Sequence, residues 1–384
     1  KANQISLLLL SWPRAWESYP LFIKICFSIA LTALVGIVLA VADIYIWRKK
    51  KARQLLKKKE LVQQISEILL STIVVEAVPG KEGALYPTKM DTSPFYQLDL
   101  NDEDVRHILV CELISYRSYF SGAIALRIRR LYLQLGLDKD ARKMLTSKNW
   151  ETRVHGLSEM FKMDVASDPA QLLKLSNDKN KYISEFARLS LIKFTKGDPL
   201  DILRSITEPI SQWEAFEIFF LFQQKEDYTL STLEGLISLE KDPSIVSLCL
   251  QLVVHFKDLK SARLIIAILE TPDLKLRAEA VAAIGKLQAR GAEVYLMNLY
   301  PEQPHEIRLE IMTALGNLRN PQSLRFLEKT FLNSTDFEIK KNASDSIIRL
   351  YPLSRNTIDK LMNNTDGFDH RILSHSLNPL INAV

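Results

Sequence analysis

The residue types that do catalysis or bind metals occur in this chain, but not in the groupings that either chemistry needs. Six histidines and three cysteines are spread over 384 residues. Cys26, Cys111 and Cys249 match no disulfide or zinc spacing, and they read as small buried hydrophobes in a reducing compartment. His370 and His375 stand five apart, which does not place two rings on one helix face. No His-Glu-x-x-His, Gly-x-Ser-x-Gly, Cys-x-x-Cys or Gly-x-Gly-x-x-Gly occurs. Gly80-Lys81 lacks the upstream glycine and the following Ser/Thr of a phosphate loop. The expectation is a chain without a catalytic residue, cofactor or metal. What remains is binding chemistry. Lys260, Arg263, Tyr295 and Arg325 are the candidates, because Tyr and Arg are favoured anchors of protein interfaces.

Charge narrows the kind of partner. Residues 1–59 carry 11 Lys and Arg against 2 acids, a net of +9, while residues 60–384 carry 39 against 43, a net of −4. A mildly acidic body is the wrong sign for a nucleic-acid surface. The basic excess belongs to an apolar run instead. Ile25 to Ala42 reads ICFSIALTALVGIVLAVA without a charge; Asp43 interrupts, and Ile44-Tyr45-Ile46-Trp47 continues. About 20 apolar residues cross a bilayer core. Tyr45 and Trp47 suit the interfacial belt, and Arg48, Lys49, Lys50, Lys51, Arg53 and Lys57–Lys59 follow at once. Arg14 and Lys24 precede the run. The asymmetry predicts a single-pass protein with its N-terminus outside and its C-terminal side in the cytoplasm. Asp43 lies one turn from the cationic end, where it could reach water or pair with Lys50 or Arg48.

The elements that must position the candidate side chains are helices. Residues 1–24 read as a short extracytoplasmic segment, 25–47 as the transmembrane helix and 48–77 as a basic juxtamembrane helix. Leu61, Ile65, Ile68 and Leu69 recur there at helical spacing. Residues 78–102 hold three prolines and lose periodicity, so they read as a linker. From 103 to 384 a repeat takes over. Leu276-Arg-Ala-Glu-Ala-Val-Ala-Ala-Ile-Gly-Lys-Leu287 aligns with Ile307-Arg-Leu-Glu-Ile-Met-Thr-Ala-Leu-Gly-Asn-Leu318, 31 residues on. The same frame fits from Thr152, Ile183, Ser211, Ile245 and Ile339, with a weaker unit at about 120–147. Its ninth and twelfth positions are apolar throughout, as one buried helix face requires. Asp168-Pro169, Asp198-Pro199 and Asn320-Pro321 mark second helices; Glu208-Pro209 and Asp242-Pro243 mark first helices. The fold class expected is all-α: one transmembrane helix, then a solenoid of seven to eight helical hairpins with a C-terminal cap.

The first helices at 276–287 and 307–318, of the form L-R-x-x-A-x-x-x-I-G-x-L, resemble short HEAT repeats of the bacterial kind related to phycobiliprotein-lyase repeats. The resemblance implies a surface for protein binding, with second helices lining the face where Lys260, Arg263, Tyr295 and Arg325 fall. Bacterial chains with one membrane helix and HEAT repeats are similar in layout. That likeness implies an inner-membrane adaptor whose partner is an integral membrane protein, in an assembly built on a glycosyltransferase or polysaccharide exporter. A secretion or motility machine and a HEAT-like enzyme such as a lyase are the other settings it allows.

Overall fold

A computed structural model describes residues 20–74, 90–225 and 231–378. The expected extracytoplasmic segment lies outside the described residues up to residue 19, as do residues 78–89 of the expected linker. The chain divides into two compact units, Lys1–Asp138 and Lys139–Val384.

In the first unit, α1 (Leu21–Leu69) runs 49 residues without a break, about 74 Å at 1.5 Å per residue. The apolar run and the basic run are therefore one helix. It is long and apolar enough to cross a membrane, with a mean hydropathy of 2.7 over its most apolar stretch and none of that stretch buried. A helix apolar all round is normally buried in protein or in lipid. The far end of α1 behaves differently. Ile65 and Leu69 are fully buried, as is Ile73 in the π-helical turn Leu70–Val74 that follows. This end packs against α2 (Glu103–Tyr119), and the π-helical turn packs against α3 (Gly122–Gln134). Arg127 of α3 donates to the Thr72 carbonyl at 2.9 Å. Residues 90–102, expected as linker, hold a short 3-10 turn with Phe95 fully buried, and the Met90 amide donates to Gln134 at 3.2 Å. The boundary between units falls after Asp138, inside the region expected to hold the weaker repeat.

In the second unit, after α4 (Asp138–Met144), the first helices of the repeats are α5 (Trp150–Lys162), α7 (Lys181–Phe194), α9 (Gln212–Gln223), α10 (Pro243–Phe256), α12 (Leu274–Leu287), α14 (His305–Asn317) and α16 (Phe337–Arg349). The second helices are α6 (Pro169–Leu175), α8 (Leu200–Ser205), α11 (Ala262–Ile268), α13 (Glu293–Leu299), α15 (Pro321–Asn333) and α17 (Arg355–Asn364). A last helix, α18 (Gly367–Ser376), packs on α16 and closes the stack. Each first helix packs on the next, which makes this an α-solenoid. The described residues between α9 and α10 contain no second helix. Leu233, Leu236 and Ile237 fill that space from turns, each at most 3% exposed.

Caps set the true register. Asn149, Asn180, Asp242, Asp273 and Asp336 each accept from an amide two residues on, which satisfies an orphan donor of the first turn. At α9 the cap is Ser211, whose Oγ accepts from Glu214 N at 3.1 Å. Pro209 is thus not a helix start, and Ser211 is not the first position of the frame. Counted three residues past each cap, the frame begins at Thr152, Ile183, Glu214, Ile245, Leu276, Ile307 and Ile339. The spacing is 31 throughout, and 32 at the last step. The sequence pattern slipped by three residues because Glu214 is a carboxylate in an apolar position. In the corrected frame the ninth position of the third repeat is Phe222, not Phe219. All seven ninth positions are at most 7% exposed.

Two glycines fix how closely the first helices stack. A Cβ added at Gly285 would sit 2.7 Å from the Ala314 Cα, and one at Gly316 would sit 2.8 Å from the Ser346 Cβ. The obstacle at Gly285 is backbone, which cannot rotate away. Gly285→Ala is therefore expected to destabilise by about 1–3 kcal/mol, against a helix-propensity gain of about 1 kcal/mol. Thermal melting checks this, and an unchanged melting temperature would mean that α12 and α14 do not approach there.

Candidate interaction surface

The four predicted side chains are not brought together. Lys260 lies in the short turn before α11, Arg263 on α11, Tyr295 on α13 and Arg325 on α15. Lys260, Arg263 and Arg325 are exposed and make no ion pair among the described residues. Tyr295 is already engaged: its hydroxyl donates to the Glu270 carboxylate just past α11. That bond holds the phenol in its protonated form and, with partial desolvation, pushes it up to about 12. No hydrogen bond or ion pair joins any of the four to another. They are separate points on the second-helix side, three of them open to a partner.

The first-helix side has more relief. A cleft of 490 Å³ crosses the N-terminal ends of α9, α10 and α12. A second, of 500 Å³, continues along the same helices, and the two share Ser247, Gln251 and Glu279. Along α10, Ser244, Ser247, Gln251, Leu250, Val254 and His255 line the trough. Phe216 and Phe219 of α9 wall it on one side, and Glu279 and Lys286 of α12 on the other. Phe216 is 66% exposed, unusual for so large an apolar group. Beyond it runs an aromatic series: Phe186 lies 5.3 Å from Trp213, and Trp150 stacks on Tyr182 at 6.0 Å. Exposed aromatics grouped in this way mark protein-binding surfaces. Sequence reasoning passed over this side because it followed the buried positions of the first helices. The available signal was a phenylalanine, Phe216, two places past the true frame start.

Beneath this surface sits a polar pair that sequence reasoning also missed. Arg188 of α7 donates to both oxygens of Glu214 on α9, at 2.6 and 2.8 Å, and both side chains are buried. Burial raises the Glu214 carboxyl, and the guanidinium opposes that shift. The pair ties one repeat to the next.

The remaining reactive groups are dispersed. Of the cysteines only Cys249 is buried, contrary to the expectation for all three; burial pushes its thiol up to about 12 and makes it a poor nucleophile. Cys111 is exposed on α2, with its Sγ 3.8 Å from the His107 ring. Among the described residues no three His, Cys, Asp or Glu side chains converge as a metal site would require.

On α1, Tyr45 and Trp47 are 66% and 58% exposed, and Lys51 Nζ lies 4.6 Å from the Trp47 ring. Arg48, Lys49 and Lys50 project from the same turns. Asp43 makes no ion pair among the described residues, so neither Arg48 nor Lys50 neutralises it.

One family model matches part of the second unit. The family described as HEAT repeats matches residues 261–348. Among solved structures, an engineered protein is 15% identical, covering 72% of this chain and 80% of its own, with a TM-score of 0.31. The complex of CpcE and CpcF of phycocyanin lyase from Nostoc sp. PCC7120 is 13% identical, covering 78% and 100%, with a TM-score of 0.23. A second engineered protein is 15% identical, covering 68% and 94%, with a TM-score of 0.22. No curated protein matches the chain. The described residues form an all-α solenoid, of which 261–348 match the HEAT-repeat family, preceded by one long apolar helix.

Proposed function

We propose that this protein is a non-catalytic, membrane-anchored adaptor. In this reading α1 spans the bacterial inner membrane with its N-terminus outside, and the solenoid binds a partner protein at the cytoplasmic face. One observation carries the proposal: the apolar half of α1 is wholly unburied, and its basic half runs directly into a packed helical unit. An anchor confines its cargo near the bilayer, so a partner in the same membrane is met at high effective concentration and modest affinity suffices. The partner is accordingly an integral membrane protein. The resemblance to bacterial chains of this layout puts a glycosyltransferase or polysaccharide-export assembly first among the settings, ahead of a secretion or motility machine.

Fractionation followed by purification in mild detergent tests this. The protein is expected in the membrane fraction with a stoichiometric membrane partner. Tyr96 is 78% exposed and lies beyond the basic stretch. With Cys26 and Cys111 replaced by serine, Tyr96→Cys is expected to resist an impermeant maleimide in intact cells and to label after lysis. Labelling in intact cells would reverse the orientation. A monomeric, partner-free protein that turned over a small molecule would put the lyase-like reading in its place.

A further inference from the structure

The C-terminal ends of α12, α14 and α16 enclose a pocket of 340 Å³. Lys286, Arg319 and Arg349 line it, together with Gln288, Asn317, Gly285 and Gly316. No carboxylate lines it, and none of the three cations makes an ion pair among the described residues. A cation at a helix C-terminus gains something from the helix dipole, which accounts for one at each end but not for three converging on one space. Gly285 and Gly316 bring the three helices close, as already described, and so bring their C-terminal cations to one space. Arg319 also holds the left-handed backbone conformation, with φ at 51°, where glycine would be easier. This space offers many donors and calls for a ligand rich in anionic acceptors.

The pocket is not isolated. Lys286 also lines the trough between the α9 phenylalanines and α12, so one side chain borders both spaces. The whole therefore offers an aromatic-walled groove leading to a cationic end. The second unit as a whole, residues 139–384, carries 32 Lys and Arg against 32 acids, so the cationic end stands against a body of no net charge. A polyanion is drawn to this end and not to the body's net charge, which is how charge confers specificity.

We propose that this pocket receives an acidic peptide segment of the partner protein, its carboxylates bound by Lys286, Arg319 and Arg349 and its preceding residues lying in the groove past Phe216 and Phe219. The proposal rests on the adaptor reading and adds the face used and the chemistry of the partner.

The test uses the full chain in non-ionic detergent and a fluorescent ten-residue Asp/Glu peptide, with its Asn/Gln counterpart as control. Fluorescence anisotropy is expected to show salt-sensitive binding of the acidic peptide alone. The variant Lys286→Gln/Arg319→Gln/Arg349→Gln is expected to bind at least tenfold more weakly while melting as the wild type does. The second-helix variant Lys260→Gln/Arg263→Gln/Arg325→Gln is expected to change binding less than twofold. Equal losses in the two variants would overturn the proposal in favour of diffuse surface attraction. Binding of both peptides alike would also overturn it. So would inorganic pyrophosphate binding the pocket while the peptide does not, or capture by anionic vesicles without peptide binding, because the ligand would then be a phosphate or a lipid. Co-purification separates the two levels. If the pocket variant keeps its membrane partner, the pocket assignment falls and the adaptor stands. If the wild type brings down no partner, the adaptor reading falls, and the titration still judges the pocket.

Discussion

Arg188→Ala is expected to destabilise the second unit by about 3–5 kcal/mol, the cost of leaving a buried charge without its partner. Glu214 is 0% exposed and depends on one guanidinium for both oxygens. The neighbouring Glu185 carboxylate adds repulsion. Truncation of the arginine removes the largest influence opposing desolvation and the Glu185 repulsion, so the folded pKa of Glu214 rises further above the ordinary value. The sign of the pH dependence follows. A carboxyl whose folded pKa is raised stabilises the fold when protonated, and that contribution is lost as pH climbs through the unfolded value toward the folded one. The variant should therefore lose least, relative to wild type, in mildly acidic solution and most at neutral pH. Replacing both partners with leucine should recover much of the loss, because the desolvation cost goes with the charges. Lys360→Ala, which breaks the exposed pair with Glu328 at 2.7 Å, should cost under about 1 kcal/mol. Urea denaturation followed by circular dichroism reads all three. Equal midpoints for Arg188→Ala and Lys360→Ala would mean that Arg188 and Glu214 are not buried together.

The same pair shows where the sequence was legible and where it was not. Periodicity exposes what is apolar and local. It located seven first helices, and in six of them the expected start coincides with the third residue past a cap. The third repeat broke the pattern because its first position is filled by a charge whose partner lies 26 residues away in α7. A pairing that distant leaves no periodic trace, so the frame was drawn to Ser211 and Phe219. The sequence allowed α1 to be continuous but did not require it, because composition changes along it. An apolar stretch and a cationic stretch look like two elements, yet both are rich in helix formers and no proline or glycine separates them. The surface was the least legible part. Lys260, Arg263, Tyr295 and Arg325 were chosen by residue type and repeat position, which say nothing about which side chains converge. Tyr295 proved to be bonded to Glu270, whereas Lys286, Arg319 and Arg349 meet only because three helix ends stack. Convergence of that kind comes from tertiary geometry.

Leu315→Asp is expected to have the other large effect, and it separates the duties of the two units. Leu315 holds the ninth position of the repeat frame that starts at Ile307 on α14, and it is fully buried. Losing a buried leucine costs about 2–5 kcal/mol. Burying an unpaired carboxylate in its place adds several more, unless the site opens to water. In a solenoid each repeat is stabilised chiefly by its neighbours, so α14 should unfold together with parts of α12 and α16, which pack on it. Glu310→Gln, on the same helix but only partly buried, should stay within about 0.5 kcal/mol of wild type. Equal melting temperatures for the two variants would show that the frame is wrong. Hydrogen exchange should lose protection across α12–α16 and keep it in α2 and α3, which belong to the first unit. The cationic pocket is built from those three helix ends and should be lost with them. The apolar half of α1 depends on none of them, so Leu315→Asp should still sediment with membranes while losing the acidic peptide and the partner. If the variant left the membrane fraction as well, attachment would depend on the solenoid, and α1 would not be the anchor proposed for it.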